Sequence, residues 1–170
     1  MRTGKDLIGL AIVDVRDGKK LGNADELVIS PDDGKLLGFI MKSGGLFSSE
    51  EVIVEIEDVR SIGTDAITVD GDEVAHTLEA SAEAFREARA GGRSLVGRKV
   101  VTQGGTLSGQ VSDVVINEEQ RRVTALLIGG GMLEQSDALP ADRIVSVGPD
   151  LIVIRDGDAS DDAIGPFAAS

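Results

Sequence analysis

The stretch Gly22–Ile29, with the sequence GNADELVI, recurs along the chain as Gly109–Ile116, with the sequence GQVSDVVI. In both segments a glycine is followed, four residues later, by an acidic residue and then by three consecutive aliphatic residues. Further matches continue in the same order on both sides: Leu7-Ile8-Gly9 with Leu95-Val96-Gly97, Phe39-Ile40-Met41 with Leu126-Leu127-Ile128, and Ser61-Ile62-Gly63 with Ser146-Val147-Gly148. An ordered series with only small gaps predicts two copies of one fold.

Each copy consists of short apolar runs that are separated by turn residues. β-Branched residues dominate the runs, and Gly, Asp and Pro occupy the gaps, which predicts short strands joined by turns. The predicted strands are 10–15, 24–30, 36–41, 52–56 and 66–69 in the first copy, and 99–102, 110–117, 123–129, 144–147 and 151–154 in the second. This pattern predicts an all-β fold of two tandem small antiparallel β-barrels or curled sheets.

A segment of different character separates the two copies. Thr77 can cap a first helical turn, Leu78 and Phe85 lie seven residues apart, and alanine is frequent around them. We therefore predict one α-helix of about three to four turns. The predicted domains are a first copy at 1–75, a helical linker at 76–94, a second copy at 95–158 and a flexible tail at 159–170. Because a copy of about 65 residues buries little surface, we expect the two copies to pack together and unfold together.

Charge and composition exclude several classes of function. The 170 residues include 17 Lys+Arg and 30 Asp+Glu, a net charge of −13, which argues against direct binding to a nucleic-acid backbone. The chain has no cysteine and one histidine, so disulfides, thiolate metal sites and two-imidazole sites are excluded. No run reaches the ~18 apolar residues of a membrane span, and none resembles a signal peptide. We expect no membrane insertion and a cytoplasmic location.

Candidate catalytic, phosphate-binding and metal-binding patterns are all incomplete. His76 has no accompanying Gly-x-Ser-x-Gly nucleophile motif. The acidic stretch 156–162 spaces carboxylates as a calcium loop does, but Asp161 stands where such a loop requires glycine. The glycine clusters at 104–105 and 129–131 lack the lysine and the spacing of phosphate-binding loops. We therefore predict no enzyme activity, no catalytic residue, no cofactor and no metal site.

Two segments of the second copy, Gly109–Ile116 and Leu139–Gly148, together with their first-copy counterparts, resemble the PRC-barrel family. That family is named for the photosynthetic reaction-centre H subunit, and the C-terminal domain of a bacterial ribosome maturation factor is similar. The resemblance covers residues 7–70 and 95–155. It implies antiparallel β-barrels and a non-enzymatic protein-interaction or adaptor role. The alternatives are an accessory factor in RNA processing or ribosome assembly, and a photosynthetic reaction-centre-related assembly protein.

Two glycine-rich loops, at equivalent positions of the two copies, contain the candidate partner-binding residues. The first places Leu46 and Phe47 directly after a glycine pair, and the second places Met132 and Leu133 directly after three glycines. Either these side chains pack into the protein, or they are exposed apolar anchors for a partner. Acidic residues follow both loops, so we predict a protein partner with an apolar patch and a basic rim. A homo-oligomer is a further assembly that the sequence leaves open.

Overall fold

A computed structural model describes residues 1–42, 51–92, 94–129 and 137–157, and most of these residues lie in β-strands. The strands are β1 (Arg2–Thr3), β2 (Ala11–Asp14), β3 (Lys20–Asn23), β4 (Glu26–Ile29), β5 (Leu36–Lys42), β6 (Glu51–Glu55), β7 (Val59–Ile62), β8 (Ala66–Val69), β9 (Lys99–Thr102), β10 (Leu107–Asn117), β11 (Arg122–Gly129), β12 (Asp137–Pro140), β13 (Ile144–Val147) and β14 (Leu151–Ile154). The predicted all-β class is confirmed.

Helical structure is short in the described residues. The α-helices are α1 (Gly4–Leu7) and α2 (Glu83–Ala90), and single 3₁₀ turns occur at Ile56–Asp58, Asp72–Val74, Leu78–Ala80 and Ala141–Arg143. None of these helices has the length and apolar character that crossing a bilayer requires.

The two copies repeat the same pairing of strands. In the first copy β2 pairs in parallel with β8, which places Ala11 beside Ala66. In the second copy β9 pairs in parallel with β14, which places Lys99 beside Leu151. In the sequence alignment of the two copies, Ala11 corresponds to Lys99 and Ala66 corresponds to Leu151. The internal duplication is therefore confirmed at the level of strand register.

The sheets formed by the described residues do not close into the predicted barrels. The first copy forms two sheets, β3-β2-β8-β7 and β4-β5-β6, and the second forms one open sheet, β12-β11-β10-β9-β14-β13. The first copy changes sheets between two adjacent residues: the N–H of Ala24 donates to the carbonyl of Leu10, and that of Asp25 donates to the carbonyl of Ile40. In the second copy, the single strand β10 spans the corresponding region in eleven residues.

The chain folds into two compact units, and each unit combines sequence from more than one predicted domain. Unit 1 comprises Met1–Gly4, Ile29–Lys35 and the chain from Gly91 onward, and unit 2 comprises Lys5–Val28 and Leu36–Ala90.

Two first-copy segments belong to unit 1 through specific backbone pairing. Strand β1 pairs with β10 and places Arg2 beside Ile116. In the turn that precedes β5, the carbonyl of Gly34 accepts a hydrogen bond from the N–H of Val123, with N and O 2.9 Å apart. Arg2 also donates from Nε to Oε1 of Glu118 at 2.7 Å. The second-copy sheet is thus completed by residues from the start of the chain.

The predicted long helix between the copies is wrong in its length. The α-helix is confined to the eight residues of α2, and a separate 3₁₀ turn precedes it. Ser81 ends that turn in an extended conformation, and its hydroxyl donates to the carbonyl of Leu78. The 3₁₀ turn therefore does not continue into α2, and the α-helix begins only after Ser81. The N–H of Ala82 donates to the side chain of Glu55, which fixes the start of α2 on unit 2.

Helix α2 packs on the core of unit 2 through one aromatic side chain. Phe85 is 1% exposed and packs against Val28, Ile40 and Ile53. The close approach requires glycine at position 38, where φ is +154° and an added Cβ would lie 2.3 Å from the carbonyl oxygen of Val54. The same Cβ would lie 2.9 Å from a ring carbon of Phe85. The segment between the copies is thus part of the unit 2 core.

Candidate interaction surfaces

The four predicted anchors, Leu46, Phe47, Met132 and Leu133, lie outside the described residues. The structure describes the hairpin strands on either side of each loop, β5 and β6 in unit 2 and β11 and β12 in unit 1. The last paired residues are Lys42 with Glu51 in the first hairpin and Ile128 with Asp137 in the second. The binding role of the four anchors stays a prediction.

A row of apolar side chains crosses the outer face of the unit 1 sheet. Leu107 lies beside Val101, and Val101 lies beside Val153, on the adjacent strands β10, β9 and β14. Leu151 precedes Val153 by two residues and therefore points to the same face. Leu107 is 59% exposed and Leu151 is 37% exposed, whereas both valines are half-buried. These four residues are called the apolar row below.

The alternation of strand side chains explains why this row points away from the core. Val100, Ile152 and Ile154 lie between or after the row residues in sequence and are completely or almost completely buried. Since successive strand residues point to opposite faces, filling the core with these three side chains sends their neighbours outward. The apolar row is therefore additional to the core of unit 1.

The equivalent positions of unit 2 have a different chemistry. Lys20 lies beside Val13, and Val13 lies beside Thr68, in the same register as the apolar row. Ala66 corresponds to Leu151. Lys20 is exposed, and Val13, Thr68 and Ala66 are half-buried. An apolar surface at this place is thus specific to unit 1.

Both copies share one exposed aliphatic position. Ile8 is 41% exposed and Val96 is 47% exposed. Each is followed by a glycine in the left-handed region, Gly9 with φ +89° and Gly97 with φ +84°. The same backbone conformation in both copies indicates an architectural turn that presents its aliphatic side chain to solvent.

Asp14 is the buried carboxylate of unit 2, with 1% of its surface exposed. It accepts hydrogen bonds from the N–H of Arg16 at 2.9 Å and from the N–H of Gly71 at 3.0 Å. The backbone bond from Arg16 is the largest of the interactions that hold the pKa of Asp14 below its ordinary value, and together they outweigh the opposing effect of burial. Arg16 also pairs with Glu73 at 2.8 Å. This arrangement joins the end of β2 to the segment after β8.

His76 lies along the edge of β6. Its backbone forms an antiparallel bridge with Ile53, its Nδ1 lies 2.9 Å from the carbonyl oxygen of Val74, and its Nε2 lies 3.7 Å from Oε2 of Glu55. The side chain is half-buried. Within the described ranges, no group of three or more His, Cys, Asp and Glu side chains converges as metal ligands would.

Sequence reasoning did not find the apolar row. Leu107 and Leu151 are far apart in the chain, and only the β10-β9-β14 pairing places them on one face. The signal that was available is the comparison of the copies, in which Leu107 replaces Lys20 and Val153 replaces Thr68.

Comparison with known proteins agrees with the duplicated fold. The family model for the PRC-barrel domain matches residues 1–76 and 89–160. An uncharacterized protein of Clostridium acetobutylicum is 33% identical over 67 residues, which are 37% of this chain and 77% of that relative. The two matched segments of the family model correspond to the two copies with the same strand register. The chain therefore belongs to the PRC-barrel domain family and contains the domain twice.

Proposed function

We propose that this protein is a non-enzymatic adaptor that binds other proteins, and that it works in the cytoplasm. The observation that carries the proposal is the apolar row of unit 1. Interface energy is concentrated in a few well-packed side chains at the centre of an interface, and charged residues are depleted there. The apolar row supplies such a centre, with the exposed Lys99 beside Leu151.

The comparison between the copies separates this proposal from ordinary surface variation. A single exposed leucine is common on protein surfaces, but the row places apolar residues side by side on three strands. Unit 2 forms the same pairing with Lys20 and Thr68 at the equivalent positions. Strand pairing therefore does not require Leu107 and Val153 to be apolar, and a contiguous exposed apolar patch is typical of a binding surface.

Asp14 and His76 are the side chains that could most readily take part in catalysis, and their contacts bear on the non-enzymatic part of the proposal. The carboxylate of Asp14 accepts hydrogen bonds from Arg16 and Gly71, and Nδ1 of His76 lies 2.9 Å from the carbonyl oxygen of Val74. The contacts of Asp14 support a structural role for its carboxylate. The RNA-linked and photosynthetic assembly roles stay predictions from the family resemblance.

The proposal is tested by quantitative capture of partners on the tagged full chain, followed by mass spectrometry. The test variant combines Leu107→Lys and Val153→Thr, the residues found at the equivalent positions of unit 2. The matched control is Lys20→Gln in unit 2. We expect partners to be lost from the unit 1 variant and retained by the control, with and without nuclease.

Two outcomes would contradict the adaptor proposal. Identical captured sets for the wild type and the unit 1 variant would show that the apolar row binds no partner. Loss of all captured proteins on nuclease treatment would favour the RNA-linked role. Far-UV circular dichroism of each variant confirms that the fold is intact.

A further inference from the structure

The dipeptide Asp-Gly occurs four times in the chain, at Asp17-Gly18, Asp33-Gly34, Asp70-Gly71 and Asp156-Gly157. In such a pair the backbone nitrogen of the glycine can attack the side-chain carboxyl of the aspartate, because glycine has no side chain that hinders the approach. The reaction requires that the carboxyl can rotate toward its own backbone and that the glycine N–H is not held in a hydrogen bond. The contacts of the four pairs therefore indicate which one can react in the folded protein.

In three of the pairs, the glycine N–H is held by a hydrogen bond. Gly18 donates to the backbone carbonyl of Asp14 at 2.9 Å, and Gly34 donates to the carbonyl of Ser30 at 2.9 Å. Gly71 donates to the side-chain carboxylate of Asp14 at 3.0 Å. Each of these bonds must break before the glycine nitrogen can attack, so local opening has to precede the reaction.

The aspartates of the same three pairs are held as well. Their carboxylates contact, in chain order, the N–H of Lys19 at 2.8 Å, the N–H of Lys35 at 3.2 Å and the guanidinium of Arg60 at 2.8 Å. Each carboxylate is thus turned toward a donor other than the glycine that follows it. Contacts between exposed groups are individually weak, and the hydrogen bonds of the glycines add a second restraint.

The fourth pair differs in both respects. Asp156 and Gly157 are exposed, and among the described residues neither the carboxylate of Asp156 nor the N–H of Gly157 has a hydrogen-bond or ion-pair partner. Backbone pairing ends one residue earlier, where the N–H of Arg155 donates to the carbonyl of Arg143 at 2.9 Å. A Cβ added at Gly104 would lie 3.0 Å from Oδ1 of Asp156. Because position 104 is a glycine, no side chain there confines this carboxylate.

The comparison of the copies explains why the segment after β14 is less restrained than the segment after β8. In unit 2 the carboxylate of Asp14 holds the N–H of Gly71. Thr102 occupies the aligned position in unit 1, and its hydroxyl accepts a hydrogen bond from the N–H of Thr106. Unit 1 therefore lacks the carboxylate that restrains the corresponding glycine in unit 2.

We propose that Asp156 is a modification site, at which the folded protein spontaneously forms isoaspartate. The backbone nitrogen of Gly157 bonds to Cγ of Asp156, a C–O bond of the carboxyl breaks, and one water leaves with the N–H proton. Water then adds to the former backbone carbonyl of Asp156 in the resulting succinimide and breaks the bond from that carbon to the nitrogen. One water is released and one is consumed, so the reaction needs no oxidant, reductant or cofactor.

The product differs from the original chain in its backbone. The main chain passes through Cγ of residue 156 and gains one methylene group, and the α-carboxylate is free. The preceding strand keeps its restraints, since the N–H of Gln103 donates to the carbonyl of Ile154 at 2.8 Å. The modification thus changes the path of the chain where it leaves β14, and its product belongs to the substrate class of enzymes that methylate isoaspartyl carboxylates. This inference is independent of the proposed adaptor function.

The experiment measures isoaspartate at all four pairs of the same molecule. Purified full-length protein is incubated at near-neutral pH and physiological temperature. Isoaspartate is quantified by peptide mapping with electron-transfer fragmentation, because isomerisation does not change the mass, and by methyl transfer from an isoaspartyl methyltransferase. A parallel sample in urea gives the reactivity of each pair without folded contacts. Asp156→Glu is the test variant, because glutamate would have to close a larger ring, and Asp17→Glu is the matched control.

In the folded protein, we expect isoaspartate to form at Asp156 about tenfold faster or more than at any other pair, because each of the others must first lose a glycine hydrogen bond and a carboxylate contact. In urea the four rates should become similar. Methyl acceptance by the folded protein should fall to near background in Asp156→Glu and stay at the wild-type level in Asp17→Glu.

Three outcomes would overturn the proposal. Similar rates at all four pairs in the folded protein would show that the folded contacts do not control the reaction. Isoaspartate that forms at Asp156 only in urea would show that this pair is restrained in the folded protein. Methyl acceptance that persists in Asp156→Glu would place the reactive site elsewhere. Circular dichroism confirms that both variants are folded, and none of these outcomes affects the test of the apolar row by partner capture.

Discussion

In unit 2 the side chains of Lys20, Val13 and Thr68 lie next to one another on three strands, and in unit 1 Leu107, Val101 and Val153 occupy the same places. The pairing is the same, including the parallel pair at the centre. Backbone hydrogen bonds and inward-facing residues therefore maintain the fold, and the outward residues are free to differ. One copy thus has a polar surface where the other has an apolar one.

A second difference concerns the turn that follows the first strand of the parallel pair. In unit 2 the carboxylate of Asp14 accepts hydrogen bonds from Arg16 and Gly71. In unit 1 the hydroxyl of Thr102 lies at the equivalent position and accepts a hydrogen bond from the N–H of Thr106 at 3.1 Å. The same turn is thus stabilised by a buried charge in one copy and by a neutral group in the other.

The largest expected effect comes from separating the first copy from the segment that covers it. Residues 1–75 lack Phe85, so Val28, Ile40 and Ile53 would face water. Residues 1–92 retain helix α2 and serve as the matched control. We expect 1–75 to show no cooperative urea unfolding by circular dichroism, and 1–92 to regain a transition whose midpoint stays below that of the full chain. A cooperative transition of equal midpoint in both would show that α2 is dispensable.

Within the full chain, Phe85→Ala removes the same contact without altering the chain length. Phe85 is 1% exposed, and deletion of a buried phenyl ring costs about 3–5 kcal/mol. Phe85→Leu keeps most of the apolar volume and should cost clearly less. The measurement is the free energy of unfolding from urea denaturation, and equal values for wild type and Phe85→Ala would show that the ring is not part of a stabilising core.

Acid should destabilise unit 2 through Asp14. The folded state lowers the pKa of this carboxyl, with the Arg16 N–H as the largest cause, so its contribution is present above the pKa of the unfolded chain. The contribution is lost as the pH falls through the folded pKa. We expect Asp14→Asn to be less stable at pH 7 and to lose less stability between pH 7 and pH 3 than the wild type.

The appropriate control for this titration is a second acid-sensitive carboxyl in unit 1. Burial raises the pKa of Glu118, but the hydrogen bond from Arg2 and other contacts outweigh it and leave the pKa below its ordinary value. Glu118→Gln should therefore also flatten the acid response, independently of Asp14. Parallel pH profiles for wild type and Asp14→Asn would contradict the role given to Asp14.

The duplication and most strands could be predicted because they depend on local patterns: β-branched runs, turn residues and repeated spacing. The pairing of β1 with the second-copy sheet could not be predicted, because a two-residue strand carries no sequence signal for its partner. The length of α2 was mispredicted because alanine content favours a longer helix, whereas Ser81 ends the 3₁₀ turn in an extended conformation. The division of the first copy into two sheets could not be predicted, because it depends on one pair of backbone hydrogen bonds, at Ala24 and Asp25, that sends the chain from one sheet into the other.

The candidate surfaces were predicted less well than the fold. Sequence reasoning selected loops in which apolar residues follow glycines, and all four residues lie outside the described structure. The apolar row depends on register between strands that are distant in sequence. Exchanges between the copies, such as Leu107 for Lys20 and Val153 for Thr68, were the available signal.

The smallest expected effect on stability comes from exchanging the outward residues of the two copies. Leu107 is 59% exposed, so Leu107→Lys removes little buried surface and should change the free energy of unfolding by no more than about 0.5 kcal/mol. The reciprocal Lys20→Leu in unit 2 should be equally mild, since the register is the same. Urea denaturation of both single variants measures the effect.

This pair of exchanges decides whether the difference between the copies is a matter of surface or of core. A loss of about 2 kcal/mol or more for Leu107→Lys alone would mean that the side chain is buried by packing, and the apolar row would then belong to the interior of unit 1. Near-neutral stability in both variants, with partner capture lost only for Leu107→Lys, assigns the row to binding. The reciprocal variant tests sufficiency. If Lys20→Leu binds a partner that the wild type does not bind, an apolar residue at this register position is sufficient for recognition.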